Sequence, residues 1–234
     1  LVGSEMCIRD RCGKVFTMEE MQTIAELAKK YDAYVVTDEV YEHIVYAPYK
    51  HIYMQSLEGM RERTIVCNSL SKTYSITGWR LGYVIANPQI IDRVKKVHDF
   101  LTVGAAAPLM EAAVVGLEFG DGYYDELAAH YAHMKEVFVG GLKKLGLKYT
   151  DPQGAYYVLV DVSEFGVKDD VKFCEWMAQF VGVAAVPGSS FFREDVHNLV
   201  RFHFAKQDDT LNEAIKRLAT LKEKAMNAKN VDWR

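Results

Sequence analysis

Basic excess, long hydrophobic runs and paired cysteines are all missing from this 234-residue sequence. Lysine and arginine number 28 against 32 acidic residues, a net charge of −4. No cationic surplus is available to neutralise a phosphate backbone, so DNA or RNA binding is not expected. The most apolar stretch, Ala105 to Leu117, is broken by Pro108 and Glu111 and is too short to cross a bilayer. Leu1–Arg11 has no apolar core after a basic start, so it does not read as a secretory signal. The four cysteines, at 7, 12, 67 and 174, have neither metal-ligand spacing nor the density of a disulfide framework. That usage fits a reducing compartment, and the expected location is cytoplasmic. No G-x-G-x-x-G, P-loop or H-E-x-x-H occurs. Repeats and low-complexity segments are also missing.

What is present is ordinary globular material. Hydrophobic residues make up 50% and charged residues 26%, enough to bury a real core. At roughly 150 residues per domain, the length suits one large or two small domains. Ser4–Arg11, SEMCIRDR, resembles a translated sequencing-adapter scar. Native sequence is therefore expected from about Cys12, with an upstream part missing, and residues 1–11 are set aside from fold reasoning.

Thr17-Met-Glu-Glu20 reads as a capping box. It predicts a helix to about Lys30, with Met21, Ile24, Ala25, Leu27 and Ala28 on the apolar face. Three β-rich runs follow, at Tyr34–Thr37, Thr64–Cys67 and Leu81–Ala86. The first two are continuously apolar, as strands buried on both faces would be. From Pro88 to about Gly146 the pattern is helical, ending in a long amphipathic helix over Tyr123–Leu145. After Gly146, short strands (Ala155–Val160, Val183–Val186, Leu199–Phe204) alternate with a helix at Val171–Val181. A last helix is predicted over Thr210–Met226, capped by Asp209 or Thr210, with a frayed tail at 227–234. These signals predict an α/β fold: a mostly parallel sheet with helices over residues 12–130, then a small α+β domain over 131–226 with its connecting helix.

The informative string is Ser69-Leu-Ser-Lys72-Thr-Tyr-Ser-Ile-Thr-Gly78-Trp-Arg80-Leu-Gly82. It follows a buried strand. A lysine leaving such a strand can lose part of its hydration, which makes its amine nucleophilic toward a carbonyl. A hydroxyl at Ser69 and a guanidinium at Arg80 suit a phosphate, which arginine grips bidentately. Gly78 and Gly82 permit tight turns. Any one of these residues alone reads as an ordinary side chain of a polar surface loop, but the string does not. Arg201 is a second anomaly, a charge inside the otherwise apolar run Leu199–Phe204, expensive unless partnered. A structural ion pair with a nearby acid is its plainer explanation. Gly154–Tyr157 and Val186–Gly188 read most simply as turn chemistry and packing. His130 and His133, three apart on a helix, read as a solvated face rather than metal ligands, and no metal site is expected.

Ser69–Gly82 resembles the pyridoxal-phosphate attachment signature of the class I/II aminotransferases of fold type I. The likeness extends from Cys12, where Cys12–Thr17 resembles the end of an Asn-Pro-x-Gly-Lys segment, to about residue 226. It is nearest the kynurenine, glutamine, methionine and aspartate/aromatic branch. The resemblance implies a Schiff base between Lys72 and pyridoxal phosphate, with the freed Lys72 amine moving a proton as base and then acid. It implies that Asp38, in Val36-Thr-Asp-Glu-Val-Tyr41, pairs with the pyridinium nitrogen, and that Tyr41 donates to the phenolic oxygen. Ser69 and Arg80 would hold the phosphate, with Ser71 a lesser contact. Arg201 would grip the substrate α-carboxylate.

The implied reaction moves an amino group from an L-amino acid to a 2-oxo acid, in a homodimer when the chain is full length. A C–S β-lyase on the same fold and a non-catalytic regulatory domain are the alternatives. The resemblance also implies an N-terminal half absent here. The chain alone is therefore expected to leave a sheet edge and an apolar face uncovered, and to be poorly soluble or inactive.

Overall fold

A computed structural model describes residues 8–229 and 231–234 of the chain. Of the segment set aside above, residues 1–7 lie outside the described residues, and Ile8–Cys12 form a short helix, α1. The chain divides into two compact units. One is centred on Val15–Ala128, and the other comprises Asp10–Lys14 and Ala129–Arg234.

The first unit begins with α2 (Met18–Lys30). Its capping box forms as the sequence predicts. The Glu20 amide donates to Thr17 Oγ1 at 3.2 Å, and the Thr17 amide donates to Glu20 Oε2 at 2.8 Å. Met21, Ala25 and Ala28 are buried against Val35, Met54 and Met60. Leu27, expected on that face, is 50% exposed. The sheet has the order β1 (Val35–Asp38), β2 (Thr64–Ser69), β3 (Gly82–Ile85), with β1 parallel and β3 antiparallel to β2. An antiparallel strand at the edge of a parallel sheet is common in α/β folds.

Burial alternates along β1. Val35 and Thr37 are buried while Val36 is 56% exposed. The expectation of burial on both faces is therefore corrected. The α2 layer covers one face of β1 only, and all four residues of β3 are exposed. Between β2 and β3 lies a single turn of helix, α3 (Leu70–Thr73). Helices α4 (Pro88–Leu101), α5 (Ala107–Leu117) and α6 (Asp121–Lys144) complete the helical stretch. Asn87 caps α4, accepting the Ile90 amide at 3.0 Å. Val97, Phe100, Leu101 and Val103 nevertheless stay exposed.

The second unit holds a four-stranded antiparallel sheet of order β4 (Lys148–Tyr149), β5 (Tyr157–Asp161), β7 (Leu199–His203), β6 (Val186–Pro187). The predicted strand at Val183–Val186 shrinks to that two-residue β6. Helix α7 (Asp170–Trp176) loosens into a wider π turn over Met177–Val181 before Gly182. The single helix expected over Thr210–Met226 is two, α8 (Asp208–Leu218) and α9 (Leu221–Asn227). Thr220 interrupts them: its hydroxyl and its amide both donate to the Arg217 carbonyl, at 2.9 and 3.0 Å. A side chain competing for a main-chain acceptor ends a helix in this way. The cap expected at Asp209 or Thr210 is instead Gln207, with Asp208 and Asp209 in the first turn.

The tail is not frayed where it is described. Trp233 is 0% exposed, its ring edge-on to Phe173 at 5.0 Å and tilted against Trp176 at 5.5 Å. The Trp233 carbonyl accepts the Lys168 amide at 2.8 Å. Sequence pattern missed it because one aromatic among polar residues gives no period. Trp233→Ala is expected to cost about 3–5 kcal/mol, the usual range for emptying a buried aromatic site. Urea unfolding of the second unit's signal checks this, and a loss below about 1 kcal/mol contradicts the packing described.

Candidate functional site

Because β1 and β2 are parallel, Asp38 and Ser69 are both carboxyl-terminal strand residues at one end of the sheet. Because β3 is antiparallel, its first residue lies at that same end, with Gly82 opposite Ser69. Three chain segments, Asp38–Tyr41, Ser69–Lys72 and Arg80–Gly82, are thus delivered to one sheet end. Carboxyl ends of parallel strands are where open α/β sheets bind ligands.

Local hydrogen bonds set each segment. Ser69 caps α3: its Oγ accepts the Ser71 amide at 3.1 Å, lies 2.5 Å from Ser71 Oγ and donates to the Leu81 carbonyl at 3.1 Å. Two hydroxyls are thereby paired at the start of the turn that carries Lys72. That turn is braced from outside. The Tyr123 hydroxyl donates to the Thr73 carbonyl at 2.6 Å, and Thr77 Oγ1 donates to the Ser71 carbonyl at 3.2 Å. Lys72 is half-buried and Ser71 is buried. Asp38 Oδ1 accepts the Val40 amide at 3.1 Å, and Tyr41 is 4% exposed. Arg80 adopts a left-handed backbone, φ 57°, and its guanidinium donates to the Thr77 carbonyl at 3.0 Å. An L-residue in that conformation is strained by about 1–2 kcal/mol.

Sequence reasoning missed a cluster of acids beside these segments. Glu39 is 2% exposed and bonds His51 through a short contact, and Glu42 Oε1 accepts from Asn68 Nδ2 at 2.6 Å. Burial first, then the field of Glu42 and Glu39, pushes the Tyr83 phenol up to about 12, so it stays protonated. Glu39 and Glu42, together with Asp38 in the apolar-flanked run Val36 to Tyr46, were the available signal.

Arg201 belongs to the second unit. It lies mid-strand in β7, opposite Leu159 of β5 and Val186 of β6. Its guanidinium carbon is 3.8 Å from the Phe191 ring centre and 4.2 Å from that of Tyr157. Nη1 donates to the Asp10 carbonyl at 2.8 Å. Two aromatic faces stabilise a cation in a desolvated place. This corrects the plain packing expected of Tyr157, whose ring is half of the clamp. Gly188 does open a turn, the 3₁₀ segment Gly188–Phe191 that delivers the other ring. Of the histidines weighed as ligands, His133 pairs with Asp208 at 2.8 Å. Among the described residues no group of three or more His, Cys, Asp or Glu side chains could hold a metal ion, and no helix is long and apolar enough to cross a membrane.

A family model described as aminotransferase class I and II matches residues 7–218. A probable N-succinyldiaminopimelate aminotransferase of Mycobacterium tuberculosis is 35% identical over 222 residues, covering 91% of this chain and 56% of that protein. The methionine aminotransferase of Escherichia coli is 36% identical over 192 residues, covering 82% of this chain and 50% of that protein. The solved N-succinyldiaminopimelate aminotransferase of M. tuberculosis superposes with a TM-score of 0.85 at 34% identity, over 90% of this chain and 55% of that one. The chain spans about half the length of the curated relatives it matches.

The sheet end is sterically exacting, and a pair of substitutions tests it. A Cβ at Gly82 would lie 2.7 Å from the Asn68 carbonyl oxygen, whereas one at Gly78 meets nothing within 4 Å. Gly82→Ala is expected to destabilise the first unit by about 1–3 kcal/mol, and Gly78→Ala by less than about 0.5 kcal/mol. Thermal or urea unfolding of both variants checks the contrast; equal effects contradict the β2–β3 pairing.

Proposed function

Because the chain belongs to the class I and II aminotransferases, we propose that its three-stranded sheet end holds pyridoxal phosphate, the cofactor of that family. We propose further that the whole protein moves an amino group from an L-amino acid to a 2-oxo acid. The observation that carries this reading is the delivery of Asp38, Ser69, Lys72 and Arg80 from three strands to one sheet end. The donor set fits the group. Hydroxyls and a guanidinium suit the phosphate, a carboxylate suits the ring nitrogen, and a primary amine suits the aldehyde carbon.

When bound, the cofactor supplies an electron sink for charge left on the substrate Cα. The chain's residues do the rest. Ser69 and Arg80 would anchor the phosphate, with Ser71 a lesser contact. The Asp38 carboxylate would pair with the ring nitrogen, and Tyr41 would donate to the phenolic oxygen. Lys72 would hold the cofactor through its amine and, once freed, would take the substrate Cα proton as base and give it up again as acid. Arg201, flattened between two rings, presents its fork to the substrate α-carboxylate. The named relatives are aminotransferases, which favours amino-group transfer over the β-lyase and regulatory alternatives. The working protein is a cytoplasmic homodimer in this reading. Exposed Val97, Phe100 and Leu101 favour a partner surface.

The test is covalent mapping. The chain is mixed with pyridoxal phosphate, reduced with borohydride, digested and analysed by mass spectrometry. Label concentrated on Lys72, and absent from that site in Lys72→Ala, supports the reading. Label spread evenly over surface lysines overturns it. Arg80→Ala is expected to weaken cofactor binding by about tenfold or more, the loss of one charge-assisted contact of roughly 1.5–3 kcal/mol.

A further inference from the structure

The aromatic clamp on Arg201 is itself held by a buried acid. Asp170 opens α7 and its side chain is 0% exposed. A buried carboxylate is costly unless its oxygens are satisfied. Both are. Oδ2 accepts the Ser189 amide at 2.7 Å, and Oδ1 accepts from His197 Nδ1 at 3.1 Å. On the far side of the imidazole, His197 Nε2 lies 2.7 Å from Asp195 Oδ1. Burial pushes the Asp170 carboxyl up, but the Ser189 and His197 hydrogen bonds outweigh it and hold the group below the usual range.

Both tethers lead toward Arg201. Ser189 lies in the 3₁₀ turn Gly188–Phe191, and the Phe191 ring covers one face of the Arg201 guanidinium. His197 lies two residues before β7, the strand that carries Arg201. The turn and the strand are also jammed together: a Cβ at Gly188 would lie 2.6 Å from the Leu199 carbonyl oxygen. One carboxylate therefore ties down the start of α7, the turn bearing the clamp's upper ring and the approach to β7. Asp169, the neighbouring residue, does something different. Its Oδ1 accepts the Lys172 amide at 3.0 Å and caps the helix alone.

We propose that Asp170 is a positioning residue for Arg201: through the Ser189 amide and the His197 ring it fixes Phe191 over the guanidinium and so sets the direction in which the fork meets a ligand carboxylate. The last clause rests on the role given to Arg201 above. The Asp170 carboxylate acts by geometry.

The test reads the clamp directly. In the chain labelled with 15N,13C-arginine, Arg201 is assigned from Arg201→Lys, and the ring-current displacement of its Cδ protons is measured. Phe191→Leu sets the value for an open clamp. Asp170→Asn, which keeps the shape but turns an amide toward one of the two donors, is expected to move the Arg201 signals toward that value. Asp169→Ala, which weakens only the helix cap, is expected to leave them in place. Arg201 signals unchanged in folded Asp170→Asn overturn the proposal. Should that variant fail to fold, His197→Ala, at a side chain already 42% exposed, is expected to give a smaller shift of the same sign, and no shift there overturns the proposal equally.

Titration with 2-oxoglutarate separates this from the role of Arg201 itself. Binding that Arg201→Lys abolishes and Asp170→Asn weakens by roughly tenfold supports both. No binding by the unaltered chain overturns the carboxylate role alone, and the NMR comparison still decides the positioning role.

Discussion

β2 is hydrogen-bonded along both edges, to a parallel neighbour on one side and an antiparallel one on the other. That arrangement is the constraint on which the chemistry of the first unit depends. A parallel partner brings the end of β1 to the end of β2. An antiparallel partner brings the start of β3 to the same place. Three segments far apart in sequence then share one sheet end without any of them needing to be long. The close approach that lets Gly82 face Asn68 and Ser69 closes the gap, and the Ser69 hydroxyl stitches α3 to the Leu81 carbonyl across it.

The second unit solves a different problem, that of keeping a cation in the middle of a sheet. Arg201 stands where β7 is flanked by strands on both sides, and its neighbours Val200 and Phe202 are fully or nearly buried. Among the described residues the guanidinium lies against the Phe191 and Tyr157 rings and donates to the Asp10 carbonyl. Rigid rings cost little entropy to order. The buried Asp170 passes rigidity on to one of those rings through a main-chain donor, which no substitution at Ser189 other than proline would remove.

Much of this was legible in the sequence, and what was not has physical reasons. The capping box at Thr17–Glu20 is a local code, read without tertiary knowledge. The Ser69–Gly82 string was legible because several functional residue types crowd a short span. Arg201 was visible as a charge in an apolar run, whereas Asp38 drew notice only through the family resemblance of the Ser69–Gly82 string. The aromatic clamp was not, because Tyr157 and Phe191 are 34 positions apart and each alone looks like packing. Asp170 looked like any helix-start acid beside Asp169, and only burial distinguishes the two. The split at Thr220 escaped because a threonine inside a helical pattern is tolerated more often than not. The open face of β1 escaped because an apolar run reveals how many faces could be covered, not how many are.

The left-handed backbone at Arg80 carries a consequence for anyone improving this protein. Glycine is the residue that adopts that conformation without strain. The substitution that most readily relaxes the chain there is therefore the one that deletes the guanidinium. A search guided by thermal robustness alone would select it and discard the anchoring group in the same step. Stability and ligand anchorage are thus opposed at this single position, and any selection scheme must reward both at once.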